Sequence, residues 1–105
     1  MEMNVDASVA ALREKADHVA SRLALVANSK RLLILCELVK GERSVGSLQS
    51  AVGLSQSALS QHLAKLREAG MVATRRESQT IYYRISDPDL ETLMAALYDA
   101  FCKDD

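Results

Sequence analysis

Two cysteines, two histidines and a cluster of serines and glutamines are the side chains of this 105-residue sequence whose types could do chemistry. Cys36 sits in the apolar run Leu32-Leu33-Ile34-Leu35-Cys36, where a free cysteine most often acts as a small hydrophobe; packing and thiol chemistry are both open to it. Apolar surroundings raise its pKa, opposed only by Lys40 one turn on. Cys102 falls at the end of the last apolar helix, where packing asks for nothing special and an exposed thiol is a liability. A soft metal needs thiolates or imidazoles grouped together. His18 and His62 are single and distant, and the acids Asp89, Glu91 and Asp99 come without a histidine, so neither metal nor cofactor is expected. Catalysis is not expected either. There is no glycine-rich phosphate loop, no His-Glu-x-x-His and no Cys-x-x-Cys, and Ser57, Ser60 and His62 diverge along one helix.

The serines and glutamines have a different use. Ser55 suits a helix N-cap, and Gln56, Ser57, Ser60 and Gln61 then occupy the outer face of the first turns. Short hydroxyl and amide side chains with no long charge among them can approach base edges in a major groove, while Lys65 and Arg67 further along can meet phosphate. Arg75 and Arg76 precede a turn at Glu77-Ser78-Gln79, where they can reach a DNA backbone or minor groove. The candidate nucleic-acid contacts are therefore Ser55, Gln56, Ser57, Ser60, Gln61, His62, Lys65, Arg67, Arg75, Arg76, Gln79 and Thr80. Charge agrees with this. The chain has a net charge of −1, yet residues 55–84 hold five bases against two acids, while the remainder holds eight bases and twelve acids. Such an asymmetry reads as an electrostatic footprint, or as an arginine-rich solvated hairpin.

The elements that must carry these residues follow from periodicity. Val5, Val9, Leu12, Ala16, Val19, Leu23 and Val26 recur at alternating spacings of four and three, which predicts one amphipathic helix over 6–27 with a narrow seam that wants another helix, from this chain or a second copy. A helix over 30–40, capped by Asn28 or Ser29, is apolar all round and is expected mid-core. Ser44 and Gly53 bound a short helix, and Ser55 and Gly70 bound the next, with Leu59, Leu63 and Leu66 inward. Two helices joined across a glycine turn give a helix-turn-helix outline over 44–70. The period then changes to two, predicting strands over 71–76 and 80–85 and a wing over 71–86. Asp87-Pro88 opens a last helix with Leu90, Leu93, Met94, Leu97, Tyr98 and Phe101 on one stripe. The outline is α-α-α-α-β-β-α, mainly α with a small β-hairpin, and 105 residues with 49% hydrophobic and 26% charged side chains suit one globular domain over 1–105. With no basic leader and no apolar run near the ~20 residues of a membrane span, the expected location is the cytoplasm.

The stretch Leu54-Ser55-Gln56-Ser57-Ala58-Leu59-Ser60-Gln61-His62-Leu63, followed by Leu66, Gly70, Met71-Val72 and the Arg75-Arg76…Tyr82-Tyr83 wing, resembles the ArsR/SmtB family of winged helix-turn-helix repressors. The resemblance implies a homodimer built from the helices over 6–27 and 87–102, a recognition helix in the major groove of double-stranded operator DNA, and release by an inducer. Ser78 departs from the glycine many members carry at the wing tip. The paired-cysteine and Asp/His metal motifs of other members are absent here. Instead Cys36 in Leu-Ile-Leu-Cys-Glu-Leu and Cys102 in Tyr-x-x-Phe-Cys resemble the dithiol of the biofilm-growth repressor branch. That likeness implies a redox sensor pair answering a small persulfide or polysulfide. A general peroxide or disulfide sensor, and a derepressor that competes with a silencing protein, fit the same residues.

Overall fold

The computed structural model describes residues 4–103; the expectations for 1–3 and 104–105 lie outside the described residues. Six helices and three short strands follow one another as α1 (Val5–Glu14), α2 (Ala16–Val26), α3 (Ser29–Val39), β1 (Arg43–Ser44), α4 (Val45–Val52), α5 (Gln56–Glu68), β2 (Val72–Glu77), β3 (Thr80–Ile85) and α6 (Pro88–Phe101). The seam expected to form one helix over 6–27 is broken at Lys15, whose N–H turns back to Leu12 O at 3.1 Å before Val19 N resumes the ladder on Lys15 O at 2.9 Å. The flanking residues are ordinary helix formers, so periodicity carries no sign of the break. No residue of α1 is buried, and Val26 alone is buried on α2. Val5, Val9, Leu12 and Leu23 stay between 45% and 62% exposed.

The core belongs mainly to α3–α6, joined by Val26 of α2 and by Met71 and Val72 at the start of the hairpin. Ile34, Leu35, Leu48, Leu59, Leu63, Leu66 and Met71 are completely enclosed, with Leu38, Val72, Leu90 and Met94 around them. Each such side chain contributes about 1.5–3 kcal/mol of burial. The expectation that α3 is core on all sides is corrected. Its buried stripe is Arg31, Ile34, Leu35 and Leu38, whereas Leu33, Cys36 and Val39 are exposed. The reason is geometric: α2, α4, α5, α6 and β3 all pack on α3, yet together they leave the side that carries Leu33, Cys36 and Val39 uncovered.

Caps place the helix starts. The Asn28 side chain accepts from the Lys30 and Arg31 N–H groups, that of Ser44 from Ser47, and that of Ser55 from Ala58. Between the last two caps, Gly53 takes φ 68, ψ 32, the left-handed turn that ends α4 and lets α5 begin three residues later. Asp87 caps α6 with Pro88 at its first position.

Met71, expected to open the first strand, is instead buried as a plug, and β2 starts at Val72. The hairpin pairs Val72 with Ile85 through Glu77 with Thr80, leaving Ser78-Gln79 as a two-residue turn. Ser78 has φ 56, positive at the first central residue where a type II′ turn favours glycine. β1, which has no sequence signal at two residues, adds a third strand in the order β1-β3-β2, with Arg43 opposite Tyr83 and Ser44 opposite Tyr82. The hairpin is thereby stitched to the start of α4.

Candidate nucleic-acid interface and thiol groove

α5 is anchored by the buried Leu59, Leu63 and Leu66, which turns the opposite side outward. Ser55, Gln56, Ser57, Ser60, Gln61, Lys65 and Arg67 are all exposed, as their spacing predicts. Ser55 and Ser57 hydroxyls lie 3.4 Å apart at the start of the helix. Gln56, Ser60, Ala64 and Arg67 of α5 face Gln79, Ile81 and Tyr83 of the wing across an open cleft of about 710 Å³. Helix and wing thus flank one concave surface, with amide, hydroxyl and guanidinium groups along it.

His62 stands apart from the other candidates. It is half-buried, three residues after Leu59 and four before Leu66 on the core flank, and its Nδ1 lies 3.2 Å from Arg31 Nη1. Burial first, then Arg31 and Lys65, push its pKa below the ordinary histidine value.

The two wing arginines prove unlike. Strand alternation puts Arg75 across from Tyr82 and Arg76 across from Ile81, on opposite faces of the hairpin. Arg75 Nε donates to both Glu42 oxygens at 2.8 and 3.0 Å and Nη1 to Glu77 at 2.8 Å, while its guanidinium lies 4.5 Å from the Tyr82 ring centre. The hydrogen bonds to Glu77 and Glu42 raise its pKa further. Arg75 therefore already has two carboxylate partners, and one of them, Glu42, comes from a loop distant in sequence. Among the described residues no carboxylate pairs with Arg76; its Nε donates to Ser78 O at 3.1 Å, which braces the turn and leaves the side chain exposed beside Gln79 and Thr80.

Arginines also fasten this unit to α2, a role the spacing of charges does not reveal. Arg22 donates to Ala69 O, at the end of α5, at 2.9 Å and pairs with the α6 cap Asp87. On β1, Arg43 reaches Glu37 of α3 at 3.2 Å and Ser47 of α4 at 2.9 Å.

Cys36 and Cys102 come from different ends of the chain and line the same groove, about 990 Å³, between the open face of α3 and the last turns of α6. Leu32, Val39, Leu97, Tyr98 and Phe101 are among the apolar residues of its wall. Both cysteines are free and exposed. Partial desolvation of the sulfur raises the Cys36 pKa most, the neighbouring Glu37 carboxylate and Cys102 add to that, and Lys40 opposes. Among the described residues, no three His, Cys, Asp or Glu side chains gather as a metal site, and no helix is long and apolar enough to cross a membrane.

Residues 28–74 match the model of the bacterial regulatory protein arsR family, a helix-turn-helix family. The chain is 53% identical to the nodulation protein NolR of Rhizobium meliloti over 87% of its own length and 75% of NolR. It is 48% identical to the transcriptional activator HlyU of Vibrio cholerae over 77% of its length and 75% of HlyU. Against the biofilm growth-associated repressor of Xylella fastidiosa the figures are 42%, 87% and 80%, and the crystal structure of that repressor superposes with a TM-score of 0.83, covering 87% of this chain and 93% of the other. A homodimeric winged helix-turn-helix DNA-binding domain from Mycobacterium bovis, 32% identical, superposes with a TM-score of 0.74 over 94% of this chain and 86% of that one. The exposed polar face of α5, the hairpin beside it and these likenesses agree: the chain belongs to the ArsR family of DNA-binding transcriptional regulators and has their winged-helix fold.

Proposed function

We propose that this regulator is a homodimeric repressor released from its operator when Cys36 and Cys102 are joined by a reactive sulfur species, a persulfide or polysulfide. The observation that carries the reading is the shared groove: two thiols from distant stretches line one apolar recess between α3 and α6. In the reaction, a Cys36 thiolate takes the outer sulfur of a persulfide RSSH and expels RSH. Cys102 then displaces hydrosulfide from the new Cys36 persulfide. Two thiols and RSSH become one disulfide, RSH and hydrogen sulfide, and a second RSSH leaves one further sulfur in the bridge. A direct disulfide needs Cα atoms within ~7 Å, and each inserted sulfur relaxes that limit.

Dimerisation uses the helices over 6–27 and 87–102, in keeping with the exposed apolar residues of α1, α2 and α6 and with the homodimeric neighbour from M. bovis. The whole chain, 1–105, acts as one domain in the cytoplasm, with 44–70 as helix-turn-helix and 71–86 as wing. Recognition helices of a dimer enter successive major grooves ~34 Å apart, so a bridge that shifts α6 against α3 spoils both half-sites together. A coupling of ~1–3 kcal/mol weakens binding 5–150-fold.

The test combines intact mass with operator binding. Persulfide treatment should remove two hydrogens, or remove two hydrogens and add whole sulfur atoms, in step with loss of DNA binding. Cys36→Ser and Cys102→Ser should bind DNA and ignore the persulfide. A serine variant still released ends the dithiol reading, and an equal response to peroxide replaces it with general redox sensing. The kinship with a transcriptional activator supports a second sign of regulation, in which the same interface displaces a silencing protein. In a deletion strain target transcripts rise under the first reading and fall under the second.

A further inference from the structure

Arg31 is the buried charged side chain among the described residues, 9% exposed, and it occupies the stripe that Ile34, Leu35 and Leu38 continue. No carboxylate pairs with it there. Its Nε donates to Leu25 O at 2.5 Å and its Nη2 to Ala24 O at 3.5 Å, carbonyls of the last turn of α2 whose dipole favours a cation. The third partner is His62 Nδ1 at 3.2 Å, on α5. A guanidinium has donors only and keeps its proton, so in this pair Nδ1 must be the acceptor and the ring proton must sit on Nε2.

We propose that Arg31 and His62 are a positioning pair for base recognition: the guanidinium locks His62 as the neutral Nε2–H tautomer, and this bond sets the rotation of α5 against α2 and α3. The leucines of α5 supply burial but little direction, because apolar contacts tolerate small rotations about the helix axis. A hydrogen bond to a buried, immobile donor does not. Fixing it aims Gln56, Ser57, Ser60 and Gln61 in one orientation, so Arg31 acts on DNA without touching it. The inference rests on the reading of α5 as the recognition helix.

The charged groups acting on the ring are Arg31 from α3 and Lys65 from α5 itself, while α2 contributes carbonyl oxygens to Arg31. All of them disfavour or fail to support an imidazolium. Protonation removes the acceptor and sets two cations against each other. Because the folded pKa lies below the ordinary value of 6.5, the pin holds above that value and is lost as pH falls through the depressed one.

Three measurements test this on the full chain, using the tightest duplex that the wild-type protein selects from a random pool at neutral pH. Long-range nitrogen-15 NMR, with His18→Gln for assignment, should show His62 protonated at Nε2 alone at neutral pH. Binding by the wild type should weaken about tenfold on the acid side. His62→Leu should weaken it about tenfold at neutral pH and meet the wild type on the acid side, whereas His62→Asn, whose amide oxygen stands near the Nδ1 position, should recover most of that loss and keep it at acid pH. An Nδ1–H tautomer, parallel pH profiles for wild type and His62→Asn, or an Asn variant no better than Leu overturns the proposal. Should His62→Leu fail to fold by circular dichroism, the wild-type and Asn profiles and the tautomer still decide. Failure of the wild type to select any duplex counts against the recognition-helix reading instead, and leaves the tautomer measurement standing.

Discussion

The thiol proposed to react, Cys36, is held in surroundings that favour its protonated form. Burial is the largest cause at Cys36, with Glu37 next and Lys40 opposing, so changes to the two charges tune the thiol without normalising it. In a Cys102→Ser background, Glu37→Gln should speed iodoacetamide alkylation of Cys36 at neutral pH roughly two- to fivefold, and Lys40→Ala should slow it, since reactivity follows the thiolate fraction. Peptide mapping after timed quenching reads both. Equal rates in all three proteins would mean that access, not charge, limits the sulfur. The wing arginines divide on the same physical ground. Among the described residues Arg76 carries no carboxylate, so Arg76→Ala should flatten the salt dependence of DNA binding by about one unit of slope if it meets one phosphate. Arg75 already shares its charge with Glu42 and Glu77, and Arg75→Ala should change that slope less. Neighbouring letters in the sequence, both arginine, give no means of telling them apart; strand alternation and a glutamate more than thirty residues upstream do.

Elements are legible where a local rule specifies them. Ser44, Ser55 and Asp87 read as caps and are caps, Gly53 reads as a left-handed stop and is one, and the period-two run over 80–85 is β3. What stays illegible depends on partners. β1 is two residues long and exists through pairing with Tyr82 and Tyr83. The break at Lys15 has no breaker residue, and the outward second face of α3 reflects which sides its neighbours cover. The Ser78 turn lies between these cases: its departure from glycine is visible in the sequence, its cost is not. A non-glycine residue at φ 56 sits where the side chain crowds the backbone, at about 1–2 kcal/mol, partly offset by the entropy glycine would lose. Ser78→Gly should therefore stabilise the protein by roughly 0.5–1 kcal/mol, a rise of a few degrees in Tm. An unchanged or lower Tm in thermal circular dichroism would show that the turn carries no such strain.

For the whole molecule, the decisive feature is apolar surface without a partner in the chain. Val5, Val9, Leu12 and Leu23 on the N-terminal helices, and Tyr98 and Phe101 at the end of α6, are exposed while the core is complete without them. Such surface has a physical use in a twofold assembly, and the same patches border the thiol groove through Tyr98 and Phe101. A dimer held there puts the proposed bridge and the interface in contact, so that closing it would change how the two recognition helices are spaced. Leu12→Asp tests the assembly apart from the thiols. In an isologous interface every substitution occurs twice, so the loss of about 1.5–3 kcal/mol per buried leucine becomes about 3–6 kcal/mol, before any cost of burying the carboxylate. That raises the dimer dissociation constant by roughly two to four orders of magnitude, at about 1.4 kcal/mol per factor of ten. Sedimentation should show monomers at concentrations where the wild type is dimeric. Because α1 contributes nothing to the core, the variant should keep its helical spectrum while operator affinity falls with the dimer. A Leu12→Asp protein that remains dimeric would move the interface away from α1, and one that unfolds would mean that α1 is needed for the fold of the single chain.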